Sequence, residues 1–219
     1  MKILSLDVSG NYSSISLLNG DEVTSFTQTH ERKDRPDWDT LFANIEFDSK
    51  YDFDNLSAIA FARGPGSYTA LRITASFLKA IAEVKNIPLI AVSSLESIAK
   101  EASHWIDKSE AKILVTIAAD PTESYFCGFK KNSNGIEVIT EESVMQMGEL
   151  SEFLTDENCY FVGTGWPLEL KNSTNFLSQV IGSAEPVALI AKEKLETNEI
   201  FLPENANPIY LKTPEYKKS

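Results

Sequence analysis

The chain has 219 residues, of which 42% are hydrophobic, with a formal net charge of −12 and two cysteines. This length and apolar content suffice for a large domain or two lobes without disulfides or structural metal, and the acidic charge argues against direct binding to nucleic acid, which relies on Lys and Arg. The N-terminal MKILSLDVSG turns polar too soon for a signal peptide, and no apolar run approaches the roughly 18 residues of a membrane helix. We therefore expect a cytoplasmic protein, without membrane association, in which Cys127 and Cys159 are buried free thiols.

The first 45 residues predict a three-strand meander followed by a short helix. Lys2 to Asp7 has the apolar content of a strand, and Ser14 to Leu17 alternates as a half-buried strand does. Asn19 to Asp21 form a turn that leads into a third strand, Glu22 to Thr29. Pro36 suits the first turn of a helix whose apolar residues recur at helical spacing: Trp38, Leu41, Phe42 and Ile45.

The loop RGPG follows the apolar strand Leu56 to Ala62 and admits three interpretations: a phosphate-binding loop, a strained nucleophile turn, or a hinge between strand and helix. Gly64 and Gly66 allow backbone conformations closed to other residues, and Pro65 restricts one torsion angle. The phosphate-loop patterns GxxxxGK[ST] and GxGxxG are absent, as is the nucleophile pattern GxSxG. The hinge is the favoured interpretation, with Ser67 as the N-cap of the next helix.

The helix after this loop has two apolar faces and a narrow polar stripe formed by Arg72, Ser76, Lys79 and Glu83. One apolar face consists of Ile73, Phe77, Ala80, Ile81 and Val84. The other consists of Ala70, Leu71, Thr74, Ala75, Leu78 and Ala82. Such a helix must be covered on two sides, either entirely within its own fold or partly by another protein chain.

The second half of the chain begins much as the first does. The apolar strand Lys112 to Ala118 leads to Asp120, and a hairpin turns at Asn134–Gly135. This repeat of strand, Asp and hairpin indicates two similar lobes, and we place the boundary between residues 104 and 105. The remaining predicted elements are a strand over 87–92, a helix capped by Ser93 or Ser94, a helix over 148–154, a strand over 159–162, a helix over 186–195 and an extended tail.

The sequence contains few candidates for a reaction centre. Its two histidines, His30 and His104, lack a partner at metal-binding spacing, and neither HExxH nor a Ser/His/Asp motif is present. Asp7 and Asp120 each follow an apolar strand, where carboxylates could bind Mg²⁺ or activate water for phosphoryl transfer. Gly10 follows Asp7 closely, but Pro121, Thr122 and Glu123 follow Asp120 without a nearby glycine, so we predict no catalytic, cofactor-binding or metal-binding residue.

Several motifs along nearly the whole chain resemble one family. They are ILSLDVSG with SISLL, LSAIAFARGPGSYTALRI, IPLIAVSSLESIA, VGTGW and NPIYLK. With these motifs in this order, the chain resembles the bacterial tRNA threonylcarbamoyladenosine biosynthesis family TsaB, also called YeaZ. The resemblance implies an α/β fold of two lobes with mixed sheets, of the actin/Hsp70-like (ASKHA, ribonuclease H-like) class.

The resemblance also implies a non-catalytic subunit of a transferase complex. Members of this family pair with the catalytic paralogue TsaD, whose metal-binding histidines they lack. With the ATPase TsaE, the pair makes N6-threonylcarbamoyladenosine (t6A) beside the anticodon of tRNAs that read codons beginning with A. Nucleotide and metal are then expected to enter the complex through TsaD and TsaE, and tRNA to contact this subunit only indirectly.

In this family the first two helices contact TsaD or a second copy of the same chain. Carried over to this sequence, that implies an interface with these residues: Trp38, Leu41, Phe42, Ile45, Leu71, Thr74, Ala75 and Leu78. The chain departs from the family in two loops, DPTESYF and RKDRPDW, which makes it a divergent member. Two alternatives remain beside the scaffold: an ATP-dependent kinase or hydrolase that uses Asp7 and Asp120, and a peptidase, for which no nucleophile motif is present.

Overall fold

The first sheet is a mixed one built from the N-terminal half of the chain. We analysed a computed structural model, which describes residues 1–29, 36–155, 159–197 and 199–212. In chain order, the strands of this sheet are β1 (Lys2–Asp7), β2 (Tyr12–Asn19), β3 (Glu22–Thr29), β4 (Ala58–Ala62) and β5 (Leu89–Val92). Their spatial order is β3-β2-β1-β4-β5, with β1 to β3 antiparallel and β1, β4 and β5 parallel. Strand β1 therefore lies at the centre, with its end at Asp7.

The second sheet repeats this opening. Its strands are β6 (Ala111–Ala118), β7 (Glu123–Asn132), β8 (Gly135–Val138), β9 (Ser143–Gln146) and β10 (Cys159–Gly163). Strand β6 pairs antiparallel with β7 and parallel with β10, while β8 and β9 both pair with β7. A central strand followed by an antiparallel hairpin thus begins both sheets, as the sequence repeat predicts. This is the ribonuclease H-like arrangement of the actin/Hsp70-like class, so the predicted fold class is confirmed.

Helices cover both faces of the first sheet. The helices are α1 (Trp38–Asn44), α2 (Tyr68–Lys85), α3 (Ser94–His104), α4 (Met147–Leu150), α5 (Leu168–Lys171) and α6 (Ala184–Leu195). Residues alternate in direction along the strands, so that Leu4 and Phe61 pack with α1 and α2 while Ile3 and Ala60 pack with α6. None of the helices in the described ranges has the length and apolar character to span a bilayer.

Helices α3 and α6 each pack on the sheet formed by the other half of the chain. Ile98 and Ala102 of α3 join the core of the second sheet, whereas Val187 and Ala188 of α6 join the core of the first. The two helices also pack against each other. The division between residues 104 and 105 stays a prediction, and this exchange of helices ties its two parts together.

Some local details differ from the sequence prediction. Ser93 caps α3 with its hydroxyl, which accepts from the backbone N–H groups of Leu95 and Glu96. Ser67 is the N-cap residue of α2, but its side chain makes no capping hydrogen bond. The helix predicted over 148–154 is the short α4 followed by a 3₁₀ turn, and β9 and α5 are additional elements.

Candidate functional site

Helix α2 lies on the first sheet with one face buried, one face in solvent and a neighbour along each flank. Its buried residues are Leu71, Thr74, Ala75, Leu78 and Ala82. On one flank, the ring of Phe77 stacks on Trp38 of α1, with ring centroids 4.6 Å apart and planes within 13°. On the other, Lys79 contacts the C-terminal segment at Glu204 and Asn207.

Helix α1 is held in place by its own capping residue. The Asp37 carboxylate accepts hydrogen bonds from the backbone N–H and the hydroxyl of Thr40, as expected for an N-cap aspartate. Phe42 packs into an aromatic cluster with Phe47 and Phe53. Trp38 at the first position is thereby fixed beside α2.

Seven of the eight predicted interface side chains lie inside the lobe. Their exposed fractions range from 0% to 5%, for Leu41, Phe42, Ile45, Leu71, Thr74, Ala75 and Leu78. Trp38 is half-buried. Because the first sheet already covers these seven side chains, a partner cannot reach them. They instead pack the two helices onto the sheet.

The accessible apolar side chains belong to the opposite face of α2. Val84 is 82% exposed, Ala80 is exposed, and Ile73 and Phe77 are half-buried. Together with Trp38 they form a continuous apolar strip, which we call the α1/α2 surface. An apolar strip of this kind is typical of a surface that binds another protein.

Asp7, at the end of β1, is buried and fully engaged within the chain. One carboxylate oxygen accepts from the N–H and the hydroxyl of Ser9 at 2.9 and 2.7 Å, and the other accepts from the Tyr12 hydroxyl at 2.9 Å. Burial raises the pKa of Asp7, and the three hydrogen bonds oppose that rise. Burial and the neighbouring Asp7 charge raise the pKa of Tyr12 well above its usual value, so the phenol keeps its proton and donates.

Asp120, after β6, has a different environment and shares no hydrogen-bond partner with Asp7. Its carboxylate accepts from the backbone N–H groups of Thr122 and Glu123 and from the Lys212 ammonium. The hydrogen bond from Lys212 holds the pKa of Asp120 well below its usual range. The Lys212 ammonium thus neutralises the Asp120 carboxylate.

The RGPG loop after β4 is a packing junction. The Ser67 N–H donates to the Ser9 carbonyl and the Ser94 N–H donates to the Gly64 carbonyl, both at 2.9 Å. A side chain at Gly66 would place its Cβ 2.4 Å from the Ser9 carbonyl oxygen. The loop turns the chain from β4 into α2, as the hinge interpretation predicts, and also joins the ends of β1 and β4 to α3.

The glycines of the VGTGW motif also serve close packing. A Cβ at Gly163 would lie 1.9 Å from the Thr116 carbonyl oxygen, and one at Gly165 would lie 2.2 Å from the Ser124 hydroxyl. The Thr164 N–H donates to Thr116, and the Gly165 N–H donates to the hydroxyl of the same residue. Both backbone N–H groups already donate to β6, whereas a phosphate would need them as its own donors.

Within the described residues, His104, Cys127 and Cys159 belong to no metal-binding group. His104 lies exposed at the end of α3, and His30 is outside the described residues. Cys127 and Cys159 are buried free thiols, as predicted. Across the ranges that the structure describes, no group of three or more His, Cys, Asp or Glu side chains is placed to hold a metal ion.

Comparison with known proteins identifies the family. The sequence profile of the family described as TsaD, tRNA N6-adenosine threonylcarbamoyltransferase, matches residues 39–189. The Escherichia coli K12 protein described as tRNA threonylcarbamoyladenosine biosynthesis protein TsaB is 26% identical over 227 residues, which cover 97% of this chain and 95% of that protein. The chain belongs to the TsaD family, in its TsaB/YeaZ group. The profile begins one residue after Trp38 and covers the rest of α1, all of α2 and the first part of α6, and so includes the α2 residues of the α1/α2 surface.

Further TsaB/YeaZ members agree in sequence and in fold. The Haemophilus influenzae TsaB protein is 28% identical over 179 residues, or 76% of this chain and 73% of that protein. The solved structure of YeaZ from Pseudomonas aeruginosa superposes with a TM-score of 0.79 at 23% identity and covers 96% of this chain and 99% of that chain. This TsaB/YeaZ chain therefore has the fold of the group over almost its entire length.

The sequence analysis did not identify the partners of the two carboxylates that it weighed, Asp7 and Asp120. Tyr12 completes the hydrogen bonds of Asp7, and Lys212 neutralises Asp120 across 92 residues of chain. Tyr12 follows Asp7 closely and could have been considered as a donor. Lys212 had no such local signal, because only the folding of the C-terminal segment brings it to β6.

Proposed function

We propose that this chain is a non-catalytic subunit of the cytoplasmic machinery that makes t6A in tRNAs reading codons beginning with A. In this proposal it forms a heterodimer with TsaD and works together with TsaE. The observation that carries it is the match to the E. coli TsaB protein, named for threonylcarbamoyladenosine biosynthesis, over 97% of the chain. Such full-length similarity favours a shared role for the whole protein.

The α1/α2 surface is the proposed contact with TsaD. It is apolar, and its two helices are rigidly held by the first sheet and by the Trp38–Phe77 stack. Burial of Val84 and Ala80 against a partner would remove apolar area from water, which favours association. A second copy of this chain is the competing occupant, because a homodimer and a heterodimer would use the same strip.

The surroundings of Asp7 and Asp120 support a role without catalysis. Asp7 accepts three hydrogen bonds from Ser9 and Tyr12, and Asp120 is paired with Lys212. In both cases a metal–nucleotide complex would compete with partners from the chain itself. ATP or ADP and metal are accordingly assigned to TsaD and TsaE, and the net charge of −12 favours indirect contact with tRNA.

Reconstitution of tRNA threonylcarbamoylation tests this proposal. Purified TsaC, TsaD and TsaE from the same organism are combined with threonine, bicarbonate, ATP and tRNA, with and without this chain. We expect t6A only when the chain is present, and no turnover by the chain alone. Equal product without it would overturn the proposal.

An assay of ATP hydrolysis by the isolated chain separates the scaffold from the ATP-dependent kinase or hydrolase that uses Asp7 and Asp120. ATP hydrolysis by the isolated chain, abolished in both Asp7→Asn and Asp120→Asn, would favour the enzyme. The scaffold predicts no hydrolysis above buffer for the wild type or for either variant.

A further inference from the structure

The C-terminal segment Phe201–Lys212, which we call the strap, runs from the first sheet to the second. The Leu89 N–H donates to the Phe201 carbonyl at 3.4 Å, and the Ile209 N–H donates to the Arg63 carbonyl at 2.9 Å. At its end, Lys212 reaches the turn between β6 and β7. One segment, which includes a 3₁₀ turn at Pro203–Asn205, thus contacts the edge of the first sheet, the RGPG loop and the second sheet.

The first half of the strap is anchored along α2. The Lys79 ammonium donates to the Glu204 carbonyl at 3.2 Å and to the Asn207 side-chain oxygen at 2.6 Å. Ala206 is only 4% exposed and belongs to the same core as Leu78. This half is therefore part of the packed structure of the first lobe.

Tyr210 lies at the N-terminal end of α2, on the flank opposite α1. Its ring lies 4.6 Å from that of Tyr68, and its hydroxyl accepts from the Arg72 Nε at 3.3 Å. The Arg72 guanidinium lies 4.2 Å from the Tyr68 ring and 5.7 Å from the Tyr210 ring. Tyr210 remains 39% exposed, so an aromatic ring held by cation–π contacts borders the solvent-facing side of α2 across from Trp38.

An ion triad connects the strap to the second sheet. The Lys212 ammonium lies 2.5 Å from a carboxylate oxygen of Asp120 and 2.5 Å from one of Glu123. Asp120 is itself fixed by the backbone of its turn, through Thr122 and Glu123. A second pair, Arg63 with Glu142 at 3.4 Å, joins the RGPG loop to the segment between β8 and β9.

Gly64 makes room for the strap. Its φ of +102° is a conformation that other residues rarely adopt, and a Cβ there would lie 3.1 Å from the Ile209 carbonyl oxygen. The same Cβ would lie 2.8 Å from a methyl group of Leu71. The glycine thus lets the loop pass between α2 and the strap.

We propose that the strap clamps the Asp120–Glu123 turn of the second sheet to helix α2, and that Tyr210 forms the outer edge of the protein-docking surface. The second part rests on the proposed function, because it assigns the same TsaD-type partner to the α1/α2 surface. The first part concerns the isolated chain alone. Lys212 is in both cases a positioning residue, since it acts through the strap.

A nucleic acid is a less suitable ligand for this region. Arg63, Arg72 and Lys212 contribute three positive charges, and Asp120, Glu123 and Glu142 contribute three negative charges, so the formal sum is zero. RNA binding depends on unpaired basic groups that replace phosphate counterions. The balanced charges and the neighbouring apolar strip favour a protein.

Hydrogen exchange on the isolated chain tests the clamp. Lys212→Met removes the ammonium, and we expect amide exchange in residues 120–123 and 209–212 to rise about three- to tenfold, as for loss of a small ion network. Lys130→Met is the matched control, because Lys130 pairs with Glu110 at 3.3 Å within the second lobe. The double variant Lys212→Glu with Glu123→Lys swaps the two charges, so opposite charges still alternate around Asp120. It should therefore recover the protection of these amides from exchange. If amide exchange in Lys212→Met is unchanged, or if the double variant does not recover protection, the proposed clamp is wrong.

Binding of purified TsaD tests the docking edge. We expect Tyr210→Ala to weaken the affinity about tenfold or more, as for an aromatic anchor, whereas Tyr210→Phe keeps the ring and binds nearly as the wild type does. If Tyr210→Ala binds TsaD with wild-type affinity, Tyr210 is not part of the docking surface. A loss of tRNA binding without a loss of TsaD binding would lead to the same conclusion. If the wild type does not bind TsaD, the docking edge fails together with the proposed function, while hydrogen exchange still decides the clamp.

Discussion

At the scale of single residues, Asp7 and Asp120 follow corresponding strands, yet their surroundings shift their pKa values in opposite directions. Burial raises the pKa of Asp7, whereas the Lys212 ammonium lowers that of Asp120. The difference arises because Asp7 meets neutral donors in the interior and Asp120 meets a cation near the surface. Position after an apolar strand therefore does not by itself define the role of a carboxylate.

Tyr12→Phe tests the buried donor. The substitution leaves an oxygen of Asp7 buried without its hydrogen bond, and we expect the free energy of unfolding at pH 7 to fall by about 1–3 kcal/mol. Because the folded-state pKa of Asp7 is raised, its carboxyl takes up a proton as the pH falls. A protonated carboxyl loses less from the missing Tyr12 hydrogen bond than a carboxylate does. The loss of unfolding free energy caused by Tyr12→Phe should therefore become smaller as the pH falls from 7 to 4, which urea titrations can measure. Tyr51→Phe, at a side chain 60% exposed, is the control, and an equal loss there would contradict the assignment.

Cys127 gives a chemical test of burial. Burial raises the pKa of its thiol to about 12, so the reactive thiolate is scarce at pH 8. We expect neither Cys127 nor Cys159 to react with a disulfide reagent such as dithionitrobenzoate in the native protein. Both should react within minutes in guanidinium chloride, and rapid native labelling would show that the core around β7 opens readily.

At the scale of elements, α2 shows how much a helical pattern leaves undecided. Both of its apolar faces have helical periodicity, and hydropathy does not distinguish a face covered by the chain's own sheet from one covered by a partner. Packing decides this, because Leu71 and Leu78 point at the first sheet whereas Val84 points into solvent. A charge at Leu78 would therefore disrupt the core, so exposed positions provide the better test of docking.

Val84→Glu and Ala80→Glu test the α1/α2 surface. Both side chains are exposed, so we expect unchanged thermal stability and a loss of TsaD affinity of about tenfold or more, from a buried unpaired charge. The affinity can be measured by biolayer interferometry. Val138→Glu is the matched control on β8, where the wild-type valine is 61% exposed. Equal weakening by the control, or none by Val84→Glu, would place the interface elsewhere.

At the scale of the whole molecule, the exchange of α3 and α6 joins the two lobes. Ile3 and Ala60 of the first sheet are covered by α6 from the other half of the chain. Ile98 and Ala102 of α3 are covered in turn by the second sheet. Each half of the chain therefore buries one of its apolar cores only with the help of the other half.

A fragment of residues 1–104 tests this dependence. It lacks α6 and leaves the apolar side of α3 uncovered, so we expect no cooperative thermal transition and poor dispersion in its NMR spectrum. Co-expression with residues 105–219 should restore a folded complex, because the fragments together contain both exchanged helices. A folded, monomeric 1–104 fragment would instead show that the predicted boundary separates independent domains.

The sequence by itself determined the elements and the fold class. The alternation in β2, the apolar runs of β1, β4 and β6 and the cap of α3 are local, and they follow from the two-residue and 3.6-residue periods of strand and helix. The order of the motifs along the chain also indicated the family that the chain resembles. Only the tertiary structure decided which face of α2 is accessible, which partners hold Asp7 and Asp120, and which sheet receives α3 and α6. These properties depend on contacts between residues far apart in the chain, such as Lys212 with Asp120, and no local pattern encodes them.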